Sequence, residues 1–293
     1  MLSVNSVTKQ FNDHVVLNEL NLNVHEGSIF GLVGVNGSGK STLLRCICGV
    51  YDCEDGNVEF DGIDTHEDKE IRKDIFYVSD DPYFPFASNI KSLVEWYSSF
   101  YNFDTEMYKK TMDLFKLEDN KPISSFSKGM KRQTMLVIAL SIKPKLLLLD
   151  EAFDGLDPIV RYNLKKILVD FIVDNKSTII ISSHNLKELE DICDSYGILD
   201  NGKIETYGDL LESKENINKY QLAFDHDIDE SVFEQFDVLH QSKQGSVYSL
   251  VIKGNNEETM NKLRELNPII LDSLQVNFEE LFIYEYEGGK KNA

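Results

Sequence analysis

A glycine-rich segment between an apolar strand and a helix constrains this chain more than any other feature of its sequence. Residues 28–35 read SIFGLVGV, and such a run of β-branched and small side chains is typical of a buried strand. The segment GVNGSGKST follows at 34–42, and the next residues, STLLRCICGV, have the apolar spacing of a helix. The order of strand, glycine loop and helix is that of a phosphate-binding unit, so we expect an α/β fold built around this loop.

The loop satisfies the pattern G-x-x-x-x-G-K-[ST], in which glycines allow backbone N–H groups to wrap around phosphates. Lys40 is expected to reach the β- and γ-phosphate oxygens, and the Ser41 hydroxyl is expected to ligate Mg²⁺. The residues expected to hold the nucleotide are Gly34, Asn36, Gly37, Ser38, Gly39, Lys40, Ser41 and Thr42. The alternative, a chance match in a glycine-containing loop, is disfavoured by the strand and helix on either side.

A second apolar run, within KLLLLDEAFDGLDP at 145–158, ends in a pair of acids. Asp150 is expected to hold the metal through water, and Glu151 to be the general base that orients or activates the attacking water. An ordinary acidic strand end is the alternative. The chain between Lys40 and Asp150 is long enough for the helices of one nucleotide domain, which favours the catalytic interpretation.

Charge and composition exclude several classes of partner. The chain has 293 residues, with 30 basic and 50 acidic side chains and a net charge of −20 at pH 7. This charge repels phosphate backbones and anionic lipid, so we expect no nucleic acid partner and membrane contact only through another protein. The N-terminus lacks a secretory pattern and the apolar runs are too short to cross a bilayer, so an intracellular chain is expected. Reduced thiols are therefore expected at Cys46, Cys48, Cys53 and Cys193.

The sequence divides into two domains and a tail. In the first, 1–212, paired N-terminal strands precede the glycine loop, an aromatic-rich helical segment covers about 82–143, and apolar strands follow at 145–150 and 177–182. A crossover helix from Pro158 to about Asp174 joins those two strands.

The second domain, 213–287, has the order strand, helix, strand, strand, helix, strand and short helix, which suggests a small split β-α-β sandwich. Its first helix is predicted over DESVFEQF and its last over FEELFIYEYE. Residues 288–293 are expected to be a disordered tail.

The segment SFSKGMKRQ at 125–133, together with the glycine loop and the paired acids, resembles the ATP-binding subunits of ABC transporters over about residues 1–212. The family's usual LSGGQ is altered to FSKGM, in which Lys128 stands where the family often has Gly and Met130 replaces Gln. A surface helix start is the alternative for this short segment. The resemblance implies a P-loop ABC ATPase core, with a mostly parallel sheet, an antiparallel N-terminal sheet and a helical subdomain, plus a small C-terminal α+β domain.

The resemblance also implies roles for single residues. Ser127 and Gly129 are expected to close on the ATP of a second subunit, and Asp157 to lie in the loop that links the two ATP sites. A helix N-cap before Pro158 is an alternative for Asp157 that is compatible with this role. His184 matches the family's switch histidine, which contacts the γ-phosphate and Glu151. Phe11 falls where the family stacks an aromatic ring on adenine, and a core strand position is an equal alternative.

The stretch YVSDDPYFPF at 77–86 departs from the family, which usually has Tyr-Val-Pro-Gln here. Asp80 takes the place of the Gln that touches Mg²⁺ and the attacking water. A carboxylate can ligate Mg²⁺, but when ionised it cannot donate a hydrogen bond. The alternative is a solvated loop charge, which we expect for Asp81. An acid at this place, the S-x-G-M signature and the ending NFEELFIYEY resemble the bacterial branch that exports drugs, peptides and antibiotics.

The resemblance therefore implies an ATP- and Mg²⁺-dependent ATPase that powers an exporter of a peptide, drug or antibiotic. It would pair head to tail with a second copy or a paralogous ATPase, and contact an integral-membrane transporter subunit through residues near 80–100. Its expected location is cytoplasmic, peripheral at the inner face of the cell membrane. The alternatives are a soluble, non-transport ABC ATPase and an ATP-sensing module without turnover.

Overall fold

The computed structural model describes residues 1–210, 213, 216–226, 228–277, 279–280 and 283–284. Spatial contacts divide the chain into two compact units, Met1–Tyr207 and Gly208–Ala293. The residue pattern placed a boundary a few residues later, between 212 and 213. None of the described helices combines the length and the apolar character that crossing a membrane requires.

The first unit contains two sheets and several helices. Its strands are β1 (Leu2–Phe11), β2 (His14–Val24), β3 (Ile29–Val33), β4 (Asp55–Phe60), β5 (Ile63–Asp64), β6 (Ile75–Val78), β7 (Leu146–Asp150), β8 (Thr178–Ser183), β9 (Ser195–Asp200) and β10 (Lys203–Asp209), of which the last two residues belong to the second unit. Its described helices are α1 (Lys40–Ile47), α2 (Ile90–Tyr97), α3 (Thr105–Phe115), α4 (Lys128–Ile142), α5 (Pro158–Asn175) and α6 (Leu186–Glu190).

The sheet topology agrees with the predicted fold class. One sheet has the order β2-β1-β4-β5 and pairs antiparallel. The other has the order β10-β9-β3-β8-β7-β6, and its pairs β9/β3, β3/β8, β8/β7 and β7/β6 are parallel. The prediction of a mostly parallel sheet beside an antiparallel N-terminal sheet is confirmed.

Packing around α1 positions the glycine loop. Every residue of β3, β7 and β8 is buried, as expected for strands covered on both faces. One apolar cluster joins Leu2 and Val4 of the antiparallel sheet to Leu43 of α1 and to Phe30 and Leu146 of the parallel sheet. The helix α1 is therefore held between the two sheets. Because β3, β7 and β8 run parallel, their carboxyl ends lie at one edge, and the segments that follow them meet there.

The predicted helical segment contains α2, α3 and α4. Asn89 caps α2 with a reciprocal bond to Ser92, and Asp104 caps α3. Helix α4 starts at the exposed Ser127 and is buried from Thr134 onward, where it packs on α3 and β6. This helix therefore runs from the surface to the parallel sheet.

The second unit contains β11 (Ile217–Ala223), β12 (Asp237–Gln244), β13 (Val247–Lys253), β14 (Ile270–Gln275) and α7 (Asn256–Glu265). Its strands pair antiparallel in the order β12-β13-β11-β14, which is the order of a split β-α-β sandwich. The helix predicted over DESVFEQF is instead a short 3-10 helix, Glu230–Phe233. Eight residues make about two helical turns, which are marginal without an extensive apolar face. The predicted C-terminal helix lies largely outside the described residues, and the predicted tail lies entirely outside them.

Candidate nucleotide-binding site

The glycine loop follows β3, and two of its positions show why glycine is required. A Cβ on Gly34 would lie 2.5 Å from Ser38 Oγ and 2.6 Å from the Leu199 carbonyl oxygen, so no side chain fits there. Gly39, the N-cap of α1, has a φ of 108°, which glycine adopts without steric strain. The loop therefore curls tightly into the first turn of α1, where backbone N–H groups have no helical partner.

Lys40 lies across this loop and is almost completely buried. Its Nζ donates to the Gly34 carbonyl at 2.7 Å and lies 3.5 Å from Glu151 Oε1. The Ser38 hydroxyl oxygen is buried and has no hydrogen-bond partner within the part of the chain that the structure describes. A buried ammonium and an unpaired hydroxyl beside a helix N-terminus fit a polyphosphate, which accepts hydrogen bonds and carries negative charge.

Asp150, the last residue of β7, is fully buried and has both carboxylate oxygens engaged. Oδ1 accepts from Ser182 Oγ at 2.6 Å, and Oδ2 accepts from the Tyr77 hydroxyl at 2.9 Å. Burial and the adjacent Asp150 carboxylate raise the pKa of Tyr77, so its hydroxyl remains a donor. Asp150 is thus held rigidly, and its occupied oxygens suit contact with a metal through water.

The predicted catalytic residues Glu151, His184 and Lys40 are brought together at the edge of the parallel sheet. Glu151 Oε2 lies 2.9 Å from His184 Nδ1, while its other oxygen faces Lys40 Nζ. The Glu151 backbone has a φ of 49°, an uncommon conformation for a residue other than glycine. Its N–H is anchored on the Ser182 carbonyl at 3.1 Å. His184 is 48% exposed in its side chain, so the cluster is open to solvent on one side.

Ser127, Gly129 and Asp157 lie on other elements. Ser127 caps α4 by accepting from the Met130 N–H at 3.2 Å, and Asp157 caps α5 by accepting from the N–H groups of Ile159 and Val160. The cap that sequence reasoning gave as an alternative for Asp157 is therefore present. Both capping residues are exposed. Across the described residues, no hydrogen bond or ion pair joins either of them to Lys40 or its loop.

The Asp80 side chain is half-buried, and its backbone carbonyl accepts from Arg132 Nη2 at 2.7 Å. The described residues contain no group of three or more His, Cys, Asp or Glu side chains placed to hold a metal ion. Mg²⁺ ordinarily takes one or two carboxylates plus substrate phosphates and water. Asp150 and Ser41 fit that mode, and direct ligation by Asp80 stays a prediction.

Phe11 ends β1 and is 40% exposed, which argues against the core alternative. Its ring meets the Tyr51 ring edge-on, with centroids 5.3 Å apart, and Lys9 Nζ lies 5.3 Å from the Phe11 centroid. The exposed ring is available for stacking, and contact with adenine stays a prediction.

Sequence reasoning missed the residues that hold the site in shape. Tyr77 and Ser182 fix Asp150, and Arg132 joins the Asp80 segment to the segment after Glu151. Tyr77 and Ser182 lie in segments that the sequence singled out. Their orientation toward Asp150 follows only from the pairing of β6, β7 and β8.

A parallel sheet with a glycine loop after β3 and paired acids after β7 defines a P-loop nucleotide hydrolase. The family model described as ABC transporter matches residues 17–154. Over 292 residues the chain is 32% identical to the ABC transporter ATP-binding protein YtrB of Bacillus subtilis (strain 168), covering 99% of both proteins. The chain therefore belongs to the ATP-binding proteins of ABC transporters, and it is an ABC-type ATPase. This confirms the family, the fold class and the enzyme class expected from the sequence.

Two further comparisons are informative. A solved ATP binding subunit of an ABC transporter superposes with a TM-score of 0.68 at 27% identity, over 73% of this chain and 92% of that one. The Methionine import ATP-binding protein MetN of Clostridium tetani (strain Massachusetts / E88) is 27% identical over 96% of this chain and 94% of its own length. The family binds ATP, and Mg²⁺ is general for such ATPases.

Proposed function

We propose that this chain is the ATP-hydrolysing subunit of an ABC exporter, and that each ATP is held between two subunits arranged head to tail. The observation that supports this proposal is that the predicted site residues form two separate groups. Lys40, Glu151 and His184 form one cluster, whereas Ser127 and Asp157 are exposed and not bonded to Lys40 or its loop. A second subunit would supply the missing Ser127 turn to the Lys40 loop.

Within one site, Lys40 would bind the β- and γ-phosphates. His184 and Lys40 orient the Glu151 carboxylate from either side, with contacts of 2.9 Å and 3.5 Å. Glu151 would take the proton of the water whose oxygen attacks the γ-phosphorus, and the bond to ADP breaks. Bound Mg²⁺ would supply neutralisation of phosphate charge, and Asp150 and Ser41 are the residues that would hold it.

The direction of transport and the cargo rest on fewer residues. The SKGM signature and Asp80 support an exporter of a peptide, drug or antibiotic. The import relative points the other way. Uptake and efflux measured in vesicles that contain the chain with its membrane subunit decide between export and import.

The contact with an integral-membrane subunit is proposed at exposed aromatic side chains that lie after Asp80, on α2 and in the turn that follows α2. These are Tyr83, Phe86, Trp96 and Phe100. They would place the chain at the cytoplasmic face of the cell membrane through its partner. Replacing Phe86, which is 100% exposed, by Ser should release the chain from native membranes and leave ATP hydrolysis in solution unchanged. Retention on the membrane would contradict this docking site.

The central experiment uses Glu151→Gln. This change keeps the size of the side chain and removes the base, so phosphate release should fall by about 10² to 10⁴-fold. ATP and Mg²⁺ should still bring two chains together, measured by light scattering. A variant that hydrolyses normally would contradict the role of Glu151. A monomer under saturating ATP would contradict the homodimer, and addition of a paralogous ATPase would then test the mixed pair.

A further inference from the structure

Arg132 of α4 is a buried cation that joins two separate loops. Its side chain is 1% exposed, and Nη2 donates to the Asp80 carbonyl at 2.7 Å. Its Nη1 donates to the Asp154 carbonyl. Its Nε is buried and without a partner among the described residues. One guanidinium therefore connects the segment of Asp80 to the segment between Glu151 and Asp157.

Burial of this charge lowers the stability of the fold, so stability alone does not explain the presence of Arg132. A buried charge ordinarily pairs with an opposite charge, and an apolar side chain of similar volume is often at least as stable. Arg132 has no carboxylate within ion-pair distance in the described parts of the chain; both of its bonds go to neutral backbone carbonyls. The planar fork of an arginine presents its donors from separate nitrogens, here Nη1 and Nη2, whereas a lysine presents all of its donors from one nitrogen.

The same helical turn contacts the loop after Glu151 a second time. A Cβ on Gly129 would lie 2.9 Å from the Gly155 carbonyl oxygen, so at this position the backbone of α4 closely approaches the backbone of the loop. Gly129 and Arg132 are three positions apart and share one face of α4. They meet neighbouring residues of the loop, Gly155 and Asp154.

We propose that Arg132 is a positioning residue that couples the Ser127 turn of α4 to Asp80 and Glu151 of the same chain. Movement of α4, when Ser127 engages the nucleotide of a second subunit, shifts the Asp80 carbonyl and the Asp154 carbonyl together. The position of Glu151 in the ATP site of this chain then depends on whether Ser127 of the same chain has closed on the ATP of the second subunit. The role of the second subunit rests on the proposed head-to-tail dimer, whereas the link between the two loops stands within one chain.

The test replaces Arg132 by Met, which keeps the volume and removes both donors. ATP binding at Lys40 should persist, so KM should change little, while kcat should fall by about tenfold, within the range of network mutations. The cooperativity of hydrolysis with respect to ATP should also be lost. The urea midpoint should change little, because removal of a buried charge favours the folded state while loss of the donor to the Asp80 and Asp154 carbonyls disfavours it.

The matched control is Arg72→Met. Arg72 likewise donates to two backbone carbonyls, those of Thr65 and His66, but these belong to one segment outside the site. Its kcat and cooperativity should match the unmodified protein. An Arg132→Met protein with unchanged kcat and cooperativity overturns the proposal. Equal losses in the two variants, in step with their urea midpoints, overturn it too, since they would show a purely structural role.

Arg132→Lys provides the second variant in case Arg132→Met does not fold. It keeps the charge but replaces the two donor nitrogens of the guanidinium fork by one, so a selective fall in kcat is expected and a wild-type kcat contradicts the proposal. A double-mutant cycle with Asp80→Ala adds a specific readout: the fall in kcat caused by Asp80→Ala should be smaller in the Arg132→Met background.

The proposed dimer and this inference fail in different experiments. Failure of the unmodified protein to dimerise with ATP would contradict the proposed dimer. An unchanged kcat in Arg132→Met would contradict this inference.

Discussion

The two units of this chain differ in what they bury. In the first unit the buried residues include four charged side chains, Lys40, Arg132, Asp150 and Glu188. In the described part of the second unit, the buried polar side chain is the neutral Thr259, and the core is an apolar cluster with aromatic rings. Buried charge lowers stability unless it is paired, so its concentration in one unit marks where function has been favoured over stability.

A second arginine of the first unit strengthens this contrast. Arg161 of α5 pairs with Glu188 of α6 at 2.7 Å and donates to the Leu156 carbonyl at 3.3 Å. Glu188 in turn accepts from Ser183 Oγ at 3.2 Å, next to His184. Arg132 and Arg161 therefore both hold the loop that follows Glu151, at the carbonyls of Asp154 and Leu156. In the second unit, by contrast, the ion pair of Lys219 with Glu280, at 2.7 Å, joins side chains that are 23% and 28% exposed.

The largest expected effect on ATP hydrolysis comes from replacing Lys40, the buried cation of the glycine loop. Lys40→Met should lower kcat/KM for ATP by at least about 100-fold, because the phosphates lose their charged donor. The free energy of unfolding should not rise, because the change also removes the bond of Lys40 to the Gly34 carbonyl and its contact with the Glu151 carboxylate. Phosphate release and urea unfolding measure the two quantities. A variant with normal turnover would show that this buried charge is not functional, and the contrast between the units would fail.

An intermediate effect is expected at Asp80. Asp80→Gln should retain hydrolysis, because it restores the residue usual in the family, while Asp80→Ala should lower kcat several-fold or uncouple hydrolysis from transport. Steady-state phosphate release and vesicle transport are the measurements. Normal hydrolysis and transport by Asp80→Ala would identify Asp80 as a solvated loop charge.

The smallest effect is expected in the second unit, and it should fall on stability alone. Tyr220 is fully buried, and its hydroxyl donates to Asn256 Oδ1 at 2.9 Å. Tyr220→Phe removes this bond and should lower the free energy of unfolding by about 1 kcal/mol. ATP turnover per folded molecule should not change. The exposed Tyr83→Phe is the control for unfolding, and reduced turnover by Tyr220→Phe would show that the second unit contributes to catalysis.

Much of the first unit follows from local patterns. Strands β3, β7 and β8 were predictable because each is a short apolar run, and the residues that follow them carry the loop, the acids and the histidine. The cap at Asp157 was predictable because Pro158 follows it. The prediction of an α-helix over DESVFEQF was wrong. Local periodicity does not show how much apolar surface of the neighbouring strands is available for a helix to pack on.

The sequence by itself determined the residues on which the proposed chemistry rests: the glycine loop with Lys40, and the acids Asp150 and Glu151, for which the roles of metal carboxylate and general base stay predictions. It did so because loops with required glycines and strand-terminal acids are encoded by neighbouring residues. Only the tertiary structure decided that Arg132 bonds to the carbonyls of Asp80 and Asp154. Every residue has the same backbone carbonyl, so the sequence does not show which carbonyl a distant arginine side chain will bond to.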